Sequence, residues 1–431
     1  MSGYVGKPVL RYDGIGHVTG RTVYVDDIHP PGMLYVKCLT SPVHRGVIRS
    51  LDLSRAAKMA GVAGVISAED VPGTNAYGLI PDQPVFTPGL LRYRGERIAA
   101  VAAVDEDTAM EALEKIRLEI EELPGVFDPM EAMRPGAPLV RPEGNVYMFN
   151  SGPTRRIRLG DVEEGFREAD LIVEGRYANS MNEHAPMEPQ VSVAYPDASD
   201  RLVIHTVSQD LYFHLGMLSA VFNLPMNRIR YVGGTVGGGF GSKNDIHCDH
   251  VAGLMALKIR RPVKYRLTRL EETLHTTKRG AWDFQFRDGV KRDGRIVARQ
   301  VRTLHDTGAY SGMGPYVVDK NSILVAGPFY IPNIAIDGTC VYTNKPPASS
   351  MRGFGIINGT SAEELQMDRV AEAIGMDPWE IRFINAWRDG DPGATRFIVE
   401  SAGLIEAMKR AAELAGVKLP DRLMAMSSRG R

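Results

Sequence analysis

Cysteine is scarce in this sequence, and its scarcity removes several kinds of chemistry at once. Only Cys38, Cys248 and Cys340 occur in 431 residues, and no two form a C-x-x-C pair. The chain's own cysteines therefore cannot hold an iron–sulfur cluster or a structural zinc. Isolated thiols of this kind read as core residues and fit a reducing, cytoplasmic compartment. Long apolar runs are missing too. The longest, residues 98–104, falls far short of the ~20 residues of a membrane span, so no membrane association is expected. The first fourteen residues have no apolar leader core. Neither sign of charge dominates: 51 Lys and Arg stand against 52 Asp and Glu. Nothing in that balance points to a polyanion such as nucleic acid.

What is present suits a large globular protein. Hydrophobic residues make up 44%, enough to bury a core without disulfide staples. The length predicts two to four domains. Short strands are expected at residues 23–25 and 34–38, a helix at 54–60, a strand at 97–104 and a helix at 107–121. Pro124-Gly125 and four prolines in 129–142 mark a linker. Beyond it, strands are expected at 201–207 and 228–232, and helices at 214–222, 246–259 and 361–374. The alternation indicates a mixed α/β fold.

The most informative segment is Gly233-Gly-Thr-Val-Gly-Gly-Gly-Phe-Gly-Ser-Lys243, with six glycines in nine residues between an expected strand and an expected helix. Without Cβ atoms the backbone can adopt positive φ and bring bare amides close to an electron-rich cofactor. Two standard templates fail. A P-loop requires Gly-Lys, and Ser242 separates Gly241 from Lys243; the dinucleotide fingerprint starting at Gly237 also ends on Ser242. A tight backbone crossing is the plain structural alternative. Ser350-Met-Arg-Gly-Phe-Gly355 offers an arginine beside an aromatic ring, suited to an anion and a planar ligand. No metal is expected to be held directly by side chains. His184 and Glu188 are separated by Pro186, which forbids helical i, i+4 geometry. In His247-Cys248-Asp249-His250, helical spacing sends the middle two residues elsewhere.

Taken in order, a set of motifs resembles one family over nearly the whole chain. They are Arg11-Tyr-Asp13, Thr19-Gly20, Tyr93-Arg-Gly-Glu96, His184-Ala-Pro-Met-Glu-Pro189, Ser208-Gln209, the glycine loop, Asp306-Thr-Gly-Ala-Tyr310 and Arg352-Gly-Phe-Gly355. The family is the molybdopterin-binding large subunit of the xanthine dehydrogenase and aldehyde oxidoreductase enzymes. The resemblance is closest to the split large subunit of bacterial nicotinate dehydrogenase. It implies a small α/β hammerhead domain over 1–125, a linker over 126–144 and molybdopterin-binding α/β domains over 145–431. Gln209 resembles the glutamine that hydrogen-bonds an axial ligand of the metal. Gly238, Gly239, Phe240 and Gly241 match the loop that lies against the cofactor. Arg352 matches an arginine on the cofactor side of the pocket, and Phe354 a ring against an aromatic substrate.

Three departures refine the expectation. Asn244 stands where purine-oxidising members carry a glutamate, so a small N-heteroaromatic substrate resembling nicotinate is favoured over xanthine; an aldehyde- or purine-oxidising member is the alternative. Ser349 replaces the cysteine of copper-containing carbon monoxide dehydrogenases. No G-E-G motif follows Arg352, so the family's catalytic glutamate is expected from a second molybdopterin-binding polypeptide. The resemblance implies an oxidoreductase active only in a hetero-oligomer, using water as oxygen source. Its cofactor would be molybdenum–molybdopterin, the cytosine dinucleotide form included, with iron–sulfur clusters and FAD on partner subunits. Two readings compete from other classes. An ATPase lacks a P-loop and a magnesium-binding carboxylate set; a non-catalytic assembly paralogue is countered by Gln209, Gly238–Gly241 and Arg352.

Overall fold

The computed structural model describes residues 3–429. Residues 1, 2, 430 and 431, and with them the very start of the N-terminal stretch read above, lie outside the described residues. The mixed α/β expectation holds: three sheets and helices throughout build two compact units.

The first unit joins the N-terminal segment, up to Glu122, with Ala185–Thr276. Its main sheet has seven strands in the order Ile229–Gly233, Leu202–Thr206, Val191–Pro196, Val263–Arg266, Leu34–Thr40, Arg97–Ala103 and Val62–Ser67. The parallel pairing of Leu34–Thr40 with Val263–Arg266 ties the two sequence segments into one sheet. Packing thus groups segments that the chain order separates. The strand Arg97–Ala103 is buried at all seven positions. Ala100 and Ala102 join a core with Val251 and Met255, while Val101 joins another with Ala56 and Ala112. A strand covered on both faces needs no polar alternation, and its alanines let helices approach closely. The helix Asp249–Ile259 is buried from Asp249 through Ala256. It is enclosed rather than half-exposed, which explains why its apolar periodicity is weak.

The second unit joins Leu123–His184 with residues 277–429. Five strands run in the order Arg155–Leu159, Asn333–Tyr342, Ile296–Gly308, Ala281–Val290 and Leu171–Asn179. In Ala281–Val290, Trp282, Phe284 and Phe286 are buried while Asp283, Gln285 and Arg287 alternate with them on the wetter face. The helices Gly314–Leu324 and Ile356–Ile374 pack on the apolar face, where Val317, Val318, Met367 and Val370 enter the core.

Several elements differ from the sequence reading. Residues 117–121 do not continue a helix; the helix Glu106–Glu114 ends and Arg117–Glu122 is a strand paired with Gly46–Asp52. Residues 23–25 form no strand: Tyr24 makes one isolated bridge, and a 3-10 turn begins at Val25. The helix expected over 54–60 is the single turn Ser54–Ala57. Within 126–144, Val126, Ala132 and Val140 are buried and Pro129–Ala132 is helical, so these residues pack onto the second unit.

Candidate cofactor site

Topology brings the glycine loop and Gln209 together. Leu202–Thr206 and Ile229–Gly233 run parallel with Thr206 opposite Gly233, joined by the helix Leu211–Phe222. Residues just past the two strands therefore emerge at the same sheet edge, the carboxyl end where open α/β sheets bind ligands. Val191–Pro196 is antiparallel to Leu202–Thr206, with Ser192 opposite Thr206. Residues before it, Glu188 and Gln190, reach that edge as well.

The loop does not run straight into a helix N-terminus as the sequence suggested. It closes into a 3-10 turn, Ser242–Asn244, and the next helix starts only at Asp249. Side chains hold it instead. Gln209 Oε1 accepts the Gly241 N–H at 3.0 Å and the Lys243 N–H at 3.4 Å. Only the oxygen of an amide can accept two such bonds, so Nε2 is left pointing away, with no protein partner among the described residues. A Cβ on Gly239 would lie 2.3 Å from Gln209 Oε1, so glycine is required there. Gly238, Phe240 and Gly241 have φ of +94°, +54° and +105°. The N–H groups of Gly238, Gly239 and Phe240 have no hydrogen-bond acceptor among the described residues. Three successive unpaired donors beside an unpaired amide NH2 fit a large, acceptor-rich group.

The base of the loop is charged and largely buried. Lys243 is fully buried, and its Nζ donates to Glu188 Oε2 at 2.7 Å. The same oxygen accepts the Gly237 N–H at 2.7 Å. Burial pushes the Lys243 ammonium below the ordinary lysine range, and Glu188 works against that shift. Gln190 Nε2 donates to the Ser242 carbonyl at 3.2 Å. Asn244 is half-buried; its N–H donates to the Gly241 carbonyl at 3.2 Å, and its carbonyl lies 2.9 Å from His214 Nε2. A carbonyl only accepts, so Nε2 of His214 donates to it, and Nδ1 lies 2.9 Å from Ser208 Oγ. None of Glu188, Lys243, Gln190 and His214 was singled out for a site role by sequence. Glu188 was weighed only as a metal partner of His184 that Pro186 rules out, and Lys243 as a lysine failing the P-loop spacing; no local signal links them across 55 residues.

Arg352 and Phe354 belong to the second unit. Gly353, Phe354 and Gly355 have φ of +96°, +49° and +87°. A Cβ on Gly355 would stand 2.8 Å from the Val317 carbonyl. The turn leads directly into Ile356–Ile374, and Asn321 Nδ2 donates to the Gly355 carbonyl at 2.9 Å. Phe354 is half-buried against the core of this unit, with Lys320 Nζ 5.7 Å from its ring centroid. Arg352 is exposed, and its guanidinium has no protein partner among the described residues. Its carbonyl accepts from Arg279 Nη2 at 2.8 Å. His184 and Glu188, weighed above as a pair, go to different units: His184 Nε2 lies 2.7 Å from the Ser350 carbonyl, while Glu188 serves the loop. His250 is fully buried with Nε2 2.9 Å from Arg97 Nη2, and burial holds its imidazole well below the usual histidine range.

Comparison with known proteins places these features. The family model described as molybdopterin cofactor-binding domain matches residues 142–386, and that of the aldehyde oxidase and xanthine dehydrogenase a/b hammerhead domain matches 19–124. The chain is 34% identical to the nicotinate dehydrogenase large molybdopterin subunit of Eubacterium barkeri, covering 95% of this chain and 96% of that one. It is 32% identical to the xanthine dehydrogenase molybdenum-binding subunit of Escherichia coli O157:H7, over 93% of this chain and 54% of the other. Among solved structures, an aldehyde oxidoreductase from Desulfovibrio gigas matches with TM-score 0.89 and 31% identity, over 94% of this chain and 46% of that chain. The chain thus spans nearly all of one relative and about half the length of the other two. With both family models matched and the loop geometry fitting a bound cofactor, the chain belongs to the aldehyde oxidase and xanthine dehydrogenase family of molybdopterin-binding oxidoreductases.

Proposed function

We propose that this chain is the molybdenum-cofactor subunit of a hydroxylase acting on an electron-poor carbon of a small N-heteroaromatic acid such as nicotinate. The observation that carries the reading is the set of unpaired donors, the N–H groups of Gly238, Gly239 and Phe240 with Gln209 Nε2 beside them. When bound, the cofactor supplies a two-electron redox centre able to take part in oxygen insertion. The chain's residues do the rest. The three amides bind the cofactor's acceptor atoms in fixed directions, at no reorganisation cost when charge develops. Gln209 donates from Nε2 because its oxygen is held by the loop. Arg352 offers a bidentate cation, and Phe354 a ring face for a planar substrate. Asn244, neutral where a carboxylate would repel an anionic substrate, favours a heteroaromatic acid over xanthine.

A catalytic glutamate on a second molybdopterin-binding polypeptide, iron–sulfur clusters and FAD on further subunits, and a cytosine dinucleotide form of the cofactor complete the reading, set in the cytoplasm. The near end-to-end match with the nicotinate dehydrogenase subunit, against about half of the xanthine dehydrogenase subunit, supports the second polypeptide. The segments 1–125, 126–144 and 145–431 stand as family segments, a division that the matches at 19–124 and 142–386 support. The test is a purified complex containing this chain, analysed for molybdenum and assayed for kcat/KM on nicotinate, xanthine and an aliphatic aldehyde. Near-stoichiometric molybdenum with nicotinate preferred is expected. Absence of molybdenum would sink the proposal; preference for xanthine or the aldehyde would sink the substrate class.

A further inference from the structure

We propose that Glu188 is a positioning residue for the cofactor cradle, one carboxylate oxygen tying together the two ends of the glycine loop. The proposal rests on the loop facing the molybdenum cofactor. Oε2 receives the Gly237 N–H and the Lys243 ammonium, both at 2.7 Å. Between those two anchors lie the positive-φ residues Gly238, Phe240 and Gly241 and all three unpaired amides. The bond is reciprocal at one end, since the Glu188 N–H donates to the Gly237 carbonyl at 3.1 Å. At the other end the Lys243 carbonyl accepts the Gln209 N–H at 2.8 Å, coupling the latch to the residue whose Nε2 stays free.

Two features separate this from an ordinary buried ion pair. Charge compensation of Lys243 requires only the carboxylate, yet the oxygen that meets the ammonium also takes the amide next to the free donors. The other oxygen, Oε1, is buried and has no partner among the described residues. A carboxylate free to satisfy itself would share its oxygens between the two donors. Here both donors converge on one oxygen, which draws the loop ends together and leaves residues 238–240 bowed out with their N–H groups unused.

Glu188→Asp separates the two roles. It keeps a negative charge beside buried Lys243 but withdraws the carboxylate by one carbon from the Gly237 amide. Glu188→Gln keeps the length and an oxygen able to accept both donors, but removes the negative charge beside buried Lys243. The measurement uses the purified complex containing the chain, read by residue-resolved amide hydrogen exchange over 237–243 and by molybdenum per chain. In the unaltered complex freed of cofactor, the Gly237 and Gly241 amides should exchange at least tenfold more slowly than those of 238–240. In Glu188→Asp the Gly237 amide should lose at least tenfold in protection and molybdenum content should fall at least fivefold, with a melting temperature within a few degrees of the parent. A Gly237 amide exchanging as fast as 238–240 in the unaltered complex overturns the latch even if neither variant folds. So does unchanged molybdenum content in both variants. An unaltered complex without molybdenum would instead count against the cofactor reading itself, while Gly237 protection would still report on the latch.

Discussion

In the first unit, Gly238, Phe240 and Gly241 have φ of +94°, +54° and +105°; in the second, Gly353, Phe354 and Gly355 have +96°, +49° and +87°. Each turn thus forces a phenylalanine between glycines into the left-handed region, at about 1–2 kcal/mol per residue. The means of holding it differ. The first is clamped by Gln209 and Glu188, which lie 28 or more positions earlier in the sequence and meet it only through the sheet. The second opens directly into the helix Ile356–Ile374, and distant side chains meet its carbonyls: Asn321 donates to Gly355 and Arg279 to Arg352. Backbone strain of this kind persists where the surroundings over-determine it. The first turn is fixed by an ion pair and an amide acting on its N–H groups, the second by its place at a helix start and by side chains acting on its carbonyls.

The largest effect should come from breaking the clamp. Lys243→Met leaves the largely buried Glu188 carboxylate without its cation, expected to cost about 3–5 kcal/mol of stability. Arg352→Met, on the exposed flank of the second turn, should stay within about 0.5 kcal/mol. Chemical denaturation of both variants decides the matter. Equal losses would mean that the two turns are held alike.

Gln209 anchors the loop through Oε1 and is proposed to donate from Nε2, and two substitutions pull these roles apart. Gln209→Glu keeps an acceptor for the Gly241 and Lys243 amides and removes the Nε2 donor, so turnover should drop about 100-fold or more while the fold is kept. Gln209→Ala removes the anchor as well and should add about 1–3 kcal/mol of destabilisation from the amides left unpaired. Turnover within about threefold of the parent in Gln209→Glu, ~0.6 kcal/mol on the barrier, would remove Gln209 from the machinery.

The same contrast explains what was legible in the sequence. The second turn could be read because its glycines, its arginine and the helix behind it are adjacent. The strands flanking the first loop were read to within a residue or so, since alternation and turn residues mark them: 201–207 against Leu202–Thr206, and 228–232 against Ile229–Gly233. Of the clamp, Gln209 was named by resemblance, while Glu188 and Lys243 carry no shared local pattern and are joined only by folding. Residues 117–121 failed for a related reason. Ile116, Leu118 and Ile120 alternate as a strand, while Leu113, Ile116 and Ile120 fit a helical face equally well. Pairing with Gly46–Asp52 decides in favour of the strand.

A pH titration should also distinguish the two turns. The helix behind the second turn carries Glu363, whose Oε1 lies 3.2 Å from Arg299 Nη1 in the core. Arg299 already holds Asp288 with two bonds, Nε to Oδ1 at 2.8 Å and Nη2 to Oδ2 at 3.0 Å. One cation faces two carboxylates, and burial pushes Glu363 up to about 8, against the pull of Arg299. An acid raised in this way holds a proton that the unfolded chain has released. Its contribution to stability is therefore full below an ordinary glutamate pKa and is lost as pH rises towards 8. The slope is at most about 1.4 kcal/mol per pH unit. Urea midpoints from pH 5 to 8 should fall in the parent and flatten in Glu363→Gln. An unchanged slope would mean that Glu363 is ionised in the folded chain.

The smallest effect is the most discriminating, because one substitution should change sign between the turns. Asparagine tolerates the left-handed region better than phenylalanine, since its short polar side chain can bond locally. Phe240 is 46% exposed, so Phe240→Asn gives up little burial while relieving the backbone, and should raise stability by about 0.5–1 kcal/mol. Phe354 is half-buried against the core. There the same relief is outweighed by lost apolar burial, and Phe354→Asn should lower stability by about 1–2 kcal/mol. Activity should fall in both, because each ring is assigned to the cofactor or substrate pocket. A stabilised but slower Phe240→Asn would mean that the first turn stores its strain for function. If it is destabilised as much as Phe354→Asn, the ring at 240 is holding the fold, and the two turns differ less than their partners suggest.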